Sequence, residues 1–451
     1  MKNKSTQVDL LHGPIMKSMI IFMIPILISN IFQQLYNAVD TAIVGNYLGD
    51  NSLAAIGSVA AVFEMMVFFC NSLGSGFAIV CGRSFGSGDE DRMKQSVAAS
   101  LLIGFGTCIL ITFIAMVGLA PLLKLINTPD NIFAEAYTYI RIIALGLVVT
   151  FSYNLCSNML RAIGDSVMPL VFLIISSLLN IVLDIMFITV FHMGVAGAAI
   201  ATVIAQGVST ILCLIYIVNK TKILIPEGRH FKYNAELYKD VSGQGYAMAL
   251  MGSIVSVGSI ILQSGINSLG STIIAGHVAA RKLYMFGNMP FTSMSQAVST
   301  FISQNKGANQ GKRILKAMRS AYIYDVVLAA VVSVFFFTMA PTLVHLISGS
   351  TNPVIINNGS KMLYIVGPFY AVLGVLMQTR FALQGIGSKL IPMISSVIEL
   401  IGKILFVAIF IPKFQYDAVV WCEPLIWVVM TAQLLYSFNT NPYIKSIKQE
   451  A

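Results

Sequence analysis

The sequence predicts an all-α integral membrane protein: twelve transmembrane helices in two six-helix bundles related by a parallel repeat. Three observations predict it. Of the 451 residues, 57% are hydrophobic and only 10% are charged, whereas soluble domains are about 25% charged; the mean hydropathy is +0.81. Apolar runs of about 20 residues, the length that crosses about 30 Å of hydrocarbon, occur roughly twelve times. The chain also says one thing twice. Leu160-Arg161-Ala162-Ile163-Gly164-Asp165-Ser166, closed by Pro169, returns 223 positions later as Leu383-Gln384-Gly385-Ile386-Gly387-Ser388-Lys389, closed by Pro392. Upstream, Phe85-Gly86-Ser87-Gly88 leading to Arg92 is answered 221 positions later by Lys306-Gly307-Ala308-Asn309 leading to Arg313. A unit this long exceeds the roughly 20 to 50 residues of a solenoid repeat, so each half is expected to be a complete bundle.

In the first half the runs cover 15–45, which holds Pro25 and Asp40, then 53–81, 93–119, 132–157, 167–190 with Asp184, and 195–218 with Thr202 and Gln206. The second half supplies 242–268, 272–302, 314–345, 353–380, 389–411 and 417–438. Six spans per half bring the chain back to its starting side, which makes the halves parallel copies about an axis along the membrane normal. Between them lies the long polar segment, broken by Pro226 and Gly228. The expected organisation is an N-lobe over 1–218, a cytoplasmic linker over 219–241, a C-lobe over 242–440 and a cytoplasmic tail over 441–451.

The net charge of +9 is placed as membrane topology requires and not as a nucleic-acid surface. Lys2, Lys4 and Lys17, then Arg83, Arg92, Lys94 and Arg161, the linker's Lys220, Lys222, Arg229, Lys232 and Lys239, and finally Lys306, Lys312, Arg313, Lys316, Arg319, Lys445 and Lys448 all fall on one side of the predicted spans. The alternate loops carry little beyond Lys124, Lys361 and Lys413. Both termini and the linker are therefore expected in the cytoplasm, in a multi-pass protein of the cell membrane. The first run follows a polar start and is too long for the core of a signal peptide, so the first helix is expected to direct insertion. The cysteines lie in apolar segments without CxxC spacing and read as small hydrophobes.

An ionisable side chain inside a span costs at least about 2.5 to 3.5 kcal/mol and asks for a reason. Asp40 lies deep in the first span and Asp184 in the fifth. Asn180 and Asp184 are four apart and share a helix face, as Tyr36, Asn37 and Asp40 do on the first span and Thr202 and Gln206 on the sixth. If these faces converge, two carboxylates, two amides and a hydroxyl surround one small volume, suited to Na⁺ or to a proton. Two close carboxylates cannot both ionise cheaply in low dielectric, which would make a pH-linked switch. The competing reading is that the acids merely tie helices together by hydrogen bonds. Pro25, mid-span on the same helix as Asp40, removes a backbone hydrogen bond; its kink could gate, or simply pack the bundle.

The second half does not repeat the acids: Lys403 and Val407 stand at the matches of Asn180 and Asp184, and Ile261 at that of Asp40. Glu399 and Lys403, four apart, are expected to neutralise each other. Glu64, Arg281 and Lys282 are possible cleft residues; pairing with Glu64 is expected for the basic pair, with substrate binding and snorkelling as alternatives. The 23 Met and the aromatic share of 10% would suit a cavity that repacks around varied apolar cations, without locating it.

Ile24-Pro25 followed by Gln34, Asp40, Val44-Gly45-Asn46-Tyr47-Leu48-Gly49 and Leu53-Ala54-Ala55-Ile56-Gly57 resembles the opening signature of the multidrug and toxic compound extrusion (MATE) transporters. The duplicated Leu160 and Leu383 motifs resemble that family's loops after the fourth and tenth helices, and the likeness runs from about 14 to 440. The resemblance implies two six-helix lobes in a V around a central cleft, and export of organic, often cationic compounds by alternating access in exchange for H⁺ or Na⁺. It implies a cation-coupling role for Asp40, Asn180, Asp184 and Thr202, with Tyr139 and Asn154 as hydrogen-bonding neighbours. Members with acids on helices 7 and 10 differ from this chain, which offers Gln263 and Gln378 there.

Two other readings compete. A flippase of the same superfamily, moving lipid-linked oligosaccharide or lipid, would be expected to line its cleft with several cations, and only Arg281 and Lys282 are obvious. An intramembrane enzyme or ATP-driven pump finds little support: Gly307-Ala308-Asn309-Gln310-Gly311-Lys312-Arg313 is one residue short of a phosphate loop and lacks its Ser or Thr. His12, His192, His230, His277 and His345 have no metal-ligand spacing. No enzymatic activity, no cofactor beyond the coupling ion, no metal beyond possible Na⁺ at the cation-coupling site and no nucleic acid are expected. The expected partners are the bilayer and small organic substrates, with the protein acting as a monomer.

Overall fold

Hydropathy and helix agree along most of the chain. The computed structural model describes residues 6–126 and 128–449, and these contain helices and no strands; Lys2 and Lys4 lie outside the described residues. In the first half, α1 (Ile15–Leu48), α2 (Asp50–Gly86), α3 (Glu90–Leu125), α4 (Asp130–Leu145), α5 (Leu147–Ala162), α6 (Val167–Ile185) and α7 (Gly194–Lys220) follow in order. The second half supplies α8 (Ala235–Asn267), α9 (Ser271–Gly307), α10 (Gly311–Ser348), α11 (Pro353–Gly385), α12 (Leu390–Leu405), α13 (Ile411–Phe414), α14 (Tyr416–Thr440) and α15 (Pro442–Gln449). Among the described residues, ten helical segments are long and apolar enough to cross a membrane, eleven if α4 and α5 count as one bent span, against the twelve expected. The chain is a multi-pass membrane protein. Its outward surface has the matching chemistry: Ile109, Phe113 and Val117, four residues apart on α3, are 60%, 67% and 67% exposed, an apolar stripe that lipid accepts and water would not.

Four elements differ from the hydropathy reading, one of them the π-helical turn Phe406–Phe410 between α12 and α13. The fourth span is broken, with α4 and α5 bent by 47° about Gly146. A side chain there would run into Val203 of α7, 2.3 Å from an added Cβ, so the bend brings the backbone against its neighbour where apolar composition continues without a mark. The fifth span ends in a π-helical turn, Met186–Val190, immediately beyond Asp184; such turns frequently accompany functional sites. Helix α8 starts at Ala235, inside the expected linker, whose remainder forms short 3₁₀ turns. Buried His230 of that segment accepts from the Glu227 N–H at Nδ1 (2.9 Å) and reaches Asp91 through Nε2 (3.0 Å), tying it to the start of α3.

The duplicated motifs are helix ends of one design. After α5, Asp165 N–H donates to the Leu160 carbonyl and Gly164 N–H to that of Arg161, with Gly164 at φ 94°. After α11, Ser388 N–H donates to Leu383 and Gly387 N–H to Gln384, with Gly387 at φ 88°. This is the Schellman arrangement, whose left-handed residue is best supplied by glycine. Other left-handed positions recur in step: Gly49 and Gly270, Gly88 and Asn309, His192 and Gln415. In the first motif Asp165 adds side-chain bonds: Oδ1 accepts from the Val167 and Met168 N–H groups, and Oδ2 from Thr6 and Tyr216. Gly164→Ala should destabilise the protein by about 1–2 kcal/mol or more, because it puts an L-residue in left-handed geometry and its Cβ 2.7 Å from the Val8 carbonyl oxygen. A thermal midpoint in detergent no lower than that of the parent would refute this.

The chain divides into two compact units, 1–9 with 24–249, and 10–23 with 250–451. In the first, α2 packs on α3, α4 and α5, and α7 on α5 and α6. In the second, α11 packs on α9, α10 and α14, and α12 on α14. The expected spacing argument treats the cysteines as separate, yet Cys70 and Cys108 bring their sulfurs within 3.8 Å.

Candidate cation-coupling site

The first unit assembles a polar centre from α1, α6 and α7. On α6, Asn180 and Asp184 sit one turn apart and are 1% and 0% exposed. Turned to satisfy both neighbours, the Asn180 amide donates to Asp184 Oδ2 at 2.8 Å and accepts from the Thr202 N–H of α7 at 3.1 Å. The Thr202 hydroxyl donates to the Ala198 carbonyl at 3.0 Å, and Tyr36 of α1 lies within electrostatic reach of both acids. Asp40, one turn further along α1, lies within electrostatic reach of Asp184. Buried Tyr139 of α4 lies within electrostatic reach of Asp40, Tyr36 and Asp184, and its ring meets Phe63 at 6.4 Å.

An ionised carboxylate only accepts hydrogen bonds, so two neighbouring acids can bond to each other only through a proton. Each acid here also keeps one buried oxygen, Oδ1, with no hydrogen-bond partner, and buried polar atoms in this condition are rare and call for an explanation. Gln206 Oε1, one turn beyond Thr202, is a further buried acceptor without a donor. Oxygen acceptors lacking donors are what a proton or a small hard cation would complete.

Not every expected residue joins. Asn154 spends its amide on the Thr150 carbonyl of its own helix at 3.0 Å, and Asn37 is exposed, its carbonyl accepting from Thr41. Pro25 lies inside an uninterrupted α1, and Ser29 donates to its carbonyl at 2.8 Å. Glu64 and Lys282 are exposed. Arg281, for which Glu64 is the expected partner, donates to Glu423 of α14 at 2.6 Å and lies 4.5 Å over the Tyr284 ring. A buried acid in the same unit captures the guanidinium. Lys403 does pair with Glu399 at 2.8 Å, and it also approaches Glu423 at 3.7 Å. Glu423 gave no signal at helical spacing, because its partners come from other helices.

A family model described as MatE matches residues 25–186 and 247–409. The chain belongs to the MatE family. Among relatives of this MatE protein, the "probable multidrug resistance protein YoeA" of Bacillus subtilis is 26% identical over 393 residues, 86% of this chain and 84% of that one. "Probable multidrug resistance protein YpnP" of the same organism is 28% identical over 387 residues, 84% and 83% of the two chains. A crystal structure of MATE in the bent conformation superposes with a TM-score of 0.90 over 98% of both chains at 24% identity. An outward-facing multidrug resistance MATE family transporter gives 0.89 over 98% and 99% at 24% identity. Those structures establish that this MatE chain has the same fold.

Proposed function

We propose that the protein is a secondary active multidrug exporter that moves organic, often cationic compounds out of the cell in exchange for H⁺ or Na⁺ by alternating access. Family membership and relatives named for multidrug resistance support export. The observation that carries the coupling is the Asp40 and Asp184 pair, closed by Asn180 and Thr202, with an unsatisfied oxygen on each acid. Binding of the ion fills those oxygens and removes negative charge from the first unit. It must then disfavour drug binding by a coupling free energy of typically about 1–3 kcal/mol. Tyr36 and Tyr139 hold the site's geometry, Gln206 is a reserve oxygen ligand, and the coupling ion is the only non-protein participant.

The architecture goes with this reading. Counting the bent pair as one span, and adding the 37-residue α9, whose Arg281 and Lys282 dilute its hydropathy, twelve spans result. The family model's two matches, 222 positions apart at their starts, and the recurring left-handed turns support two parallel halves. Both termini and the linker then lie in the cytoplasm, and the functional unit is a monomer.

The test is efflux of a fluorescent organic cation from proteoliposomes under imposed pH or Na⁺ gradients, with wild type beside Asp40→Asn. Efflux driven by one gradient and abolished by the substitution is expected, and the effective gradient names the ion. Efflux that survives in Asp40→Asn reduces the residue to a structural role.

A further inference from the structure

The second unit holds a buried acid outside the ion-paired cluster around Glu423. Asp325 of α10 is 0% exposed. Its Oδ1 accepts from Gln378 Nε2 of α11 at 3.1 Å, and Gln378 is itself 0% exposed. Asp325 Oδ2 and Gln378 Oε1 are both buried without a hydrogen-bond partner. Space for the carboxyl is built in: an added Cβ on Gly374 of α11 would lie 2.7 Å from Asp325 Cβ and Cγ.

What surrounds the group decides what it can bind. Helix α10 packs on α9, α11 and α15, and no acidic or basic side chain of those helices acts on Asp325. Its ionisable neighbours are Tyr322 and Tyr324 of its own helix. Their hydroxyls are engaged elsewhere, Tyr322 with Thr379 at 2.8 Å and Tyr324 with the Met23 sulfur at 3.6 Å. A lone ionised carboxylate in such a place is prohibitively costly, and the group neutralises instead. A metal ion is a poor neutraliser here, because one carboxylate and one amide are too few ligands and no cluster of three acidic, His or Cys side chains exists among the described residues. A proton is sufficient. An asparagine at this position would make the same bond to Gln378 without carrying an ionisable group, so hydrogen bonding alone does not account for the acid.

We propose that Asp325 is a second proton-binding site, in the second unit, carried as a neutral carboxylic acid against Gln378. With the proton on Oδ2, the carboxyl becomes a donor for which Gln378 Oε1 is the open acceptor, while Oδ1 accepts from Nε2 as observed; without the proton, the Nε2 bond alone remains. One side chain thereby serves both protonation states, and both orphaned oxygens gain a role. Nothing about Asp325 depends on the role given to Asp40 and Asp184, and the two fail independently.

The experiment uses full-length protein in lipid carrying Asp40→Asn and Asp184→Asn, so that the first unit's buried acid pair is silent. Infrared difference spectra across an alkaline pH step, in H₂O and D₂O, should show a protonated carboxyl C=O band that shifts on deuteration. Adding Asp325→Asn should remove that band, and Asp325→Glu should move it; the Glu variant decides the matter if the Asn variant does not fold. Absence of any such band in the starting protein, or a band unchanged by both substitutions, overturns the proposal.

Discussion

Glu423→Ala is expected to destabilise the protein by about 1–3 kcal/mol, less than the roughly 3–5 kcal/mol usual when one partner of a fully buried ion pair is removed, because the Arg281 side chain is 34% exposed and water screens part of its charge. Glu423 is 7% exposed and stands between Arg281 at 2.6 Å and Lys403 at 3.7 Å. Truncating it leaves Lys403 with Glu399, but leaves Arg281 with only the Tyr284 face, a contact worth about 0.5–2 kcal/mol. The penalty is that of an orphaned charge and not the worth of the pair. Replacing both partners, Arg281→Met with Glu423→Leu, should therefore be milder than Glu423→Ala alone. Thermal unfolding of the purified protein in detergent checks both: a double variant as unstable as the single would contradict this account, as would a single variant with an unchanged midpoint.

That cluster also marks the boundary of what could be read from the chain. Most of the spans were legible because hydrocarbon imposes a length, and the turn motifs because a left-handed residue asks for glycine; both constraints are local. The convergence of Asp40, Asn180, Asp184 and Thr202 was legible for a different reason. Charge in a span is expensive, and helical spacing placed each polar set on one face. Arg281 and Glu423 are 142 residues apart, Asp325 and Gln378 are 53 apart, and no spacing rule joins them. The break at Gly146 was invisible to hydropathy, since a bend changes direction and leaves composition alone. Asn154 was brought in by resemblance only, and its own helix takes up its amide.

The largest functional effect is expected at the acid pair, and its form is more telling than its size. Asp40→Asn and Asp184→Asn should each abolish gradient-driven efflux, and the double variant should be no worse than either single. The two carboxyl groups lie within electrostatic reach of each other, and under the proposed coupling the ion is held by the pair and not by either member. Removing one acid already removes the charge change on which coupling depends, and the second substitution has nothing left to take. Groups that act as a unit give this kind of non-additivity, with interaction energies of about 0.5–3 kcal/mol or more between neighbours. Structural ties would behave otherwise: two helix-joining hydrogen bonds lost in turn would erode transport and thermal stability stepwise, and an amide would substitute for a carboxyl with little loss. Efflux rates and melting midpoints of the four proteins, measured side by side in the same lipid, separate the two cases. Losses in efflux that add on a logarithmic scale would make Asp40 and Asp184 independent, and the shared site would have to be abandoned.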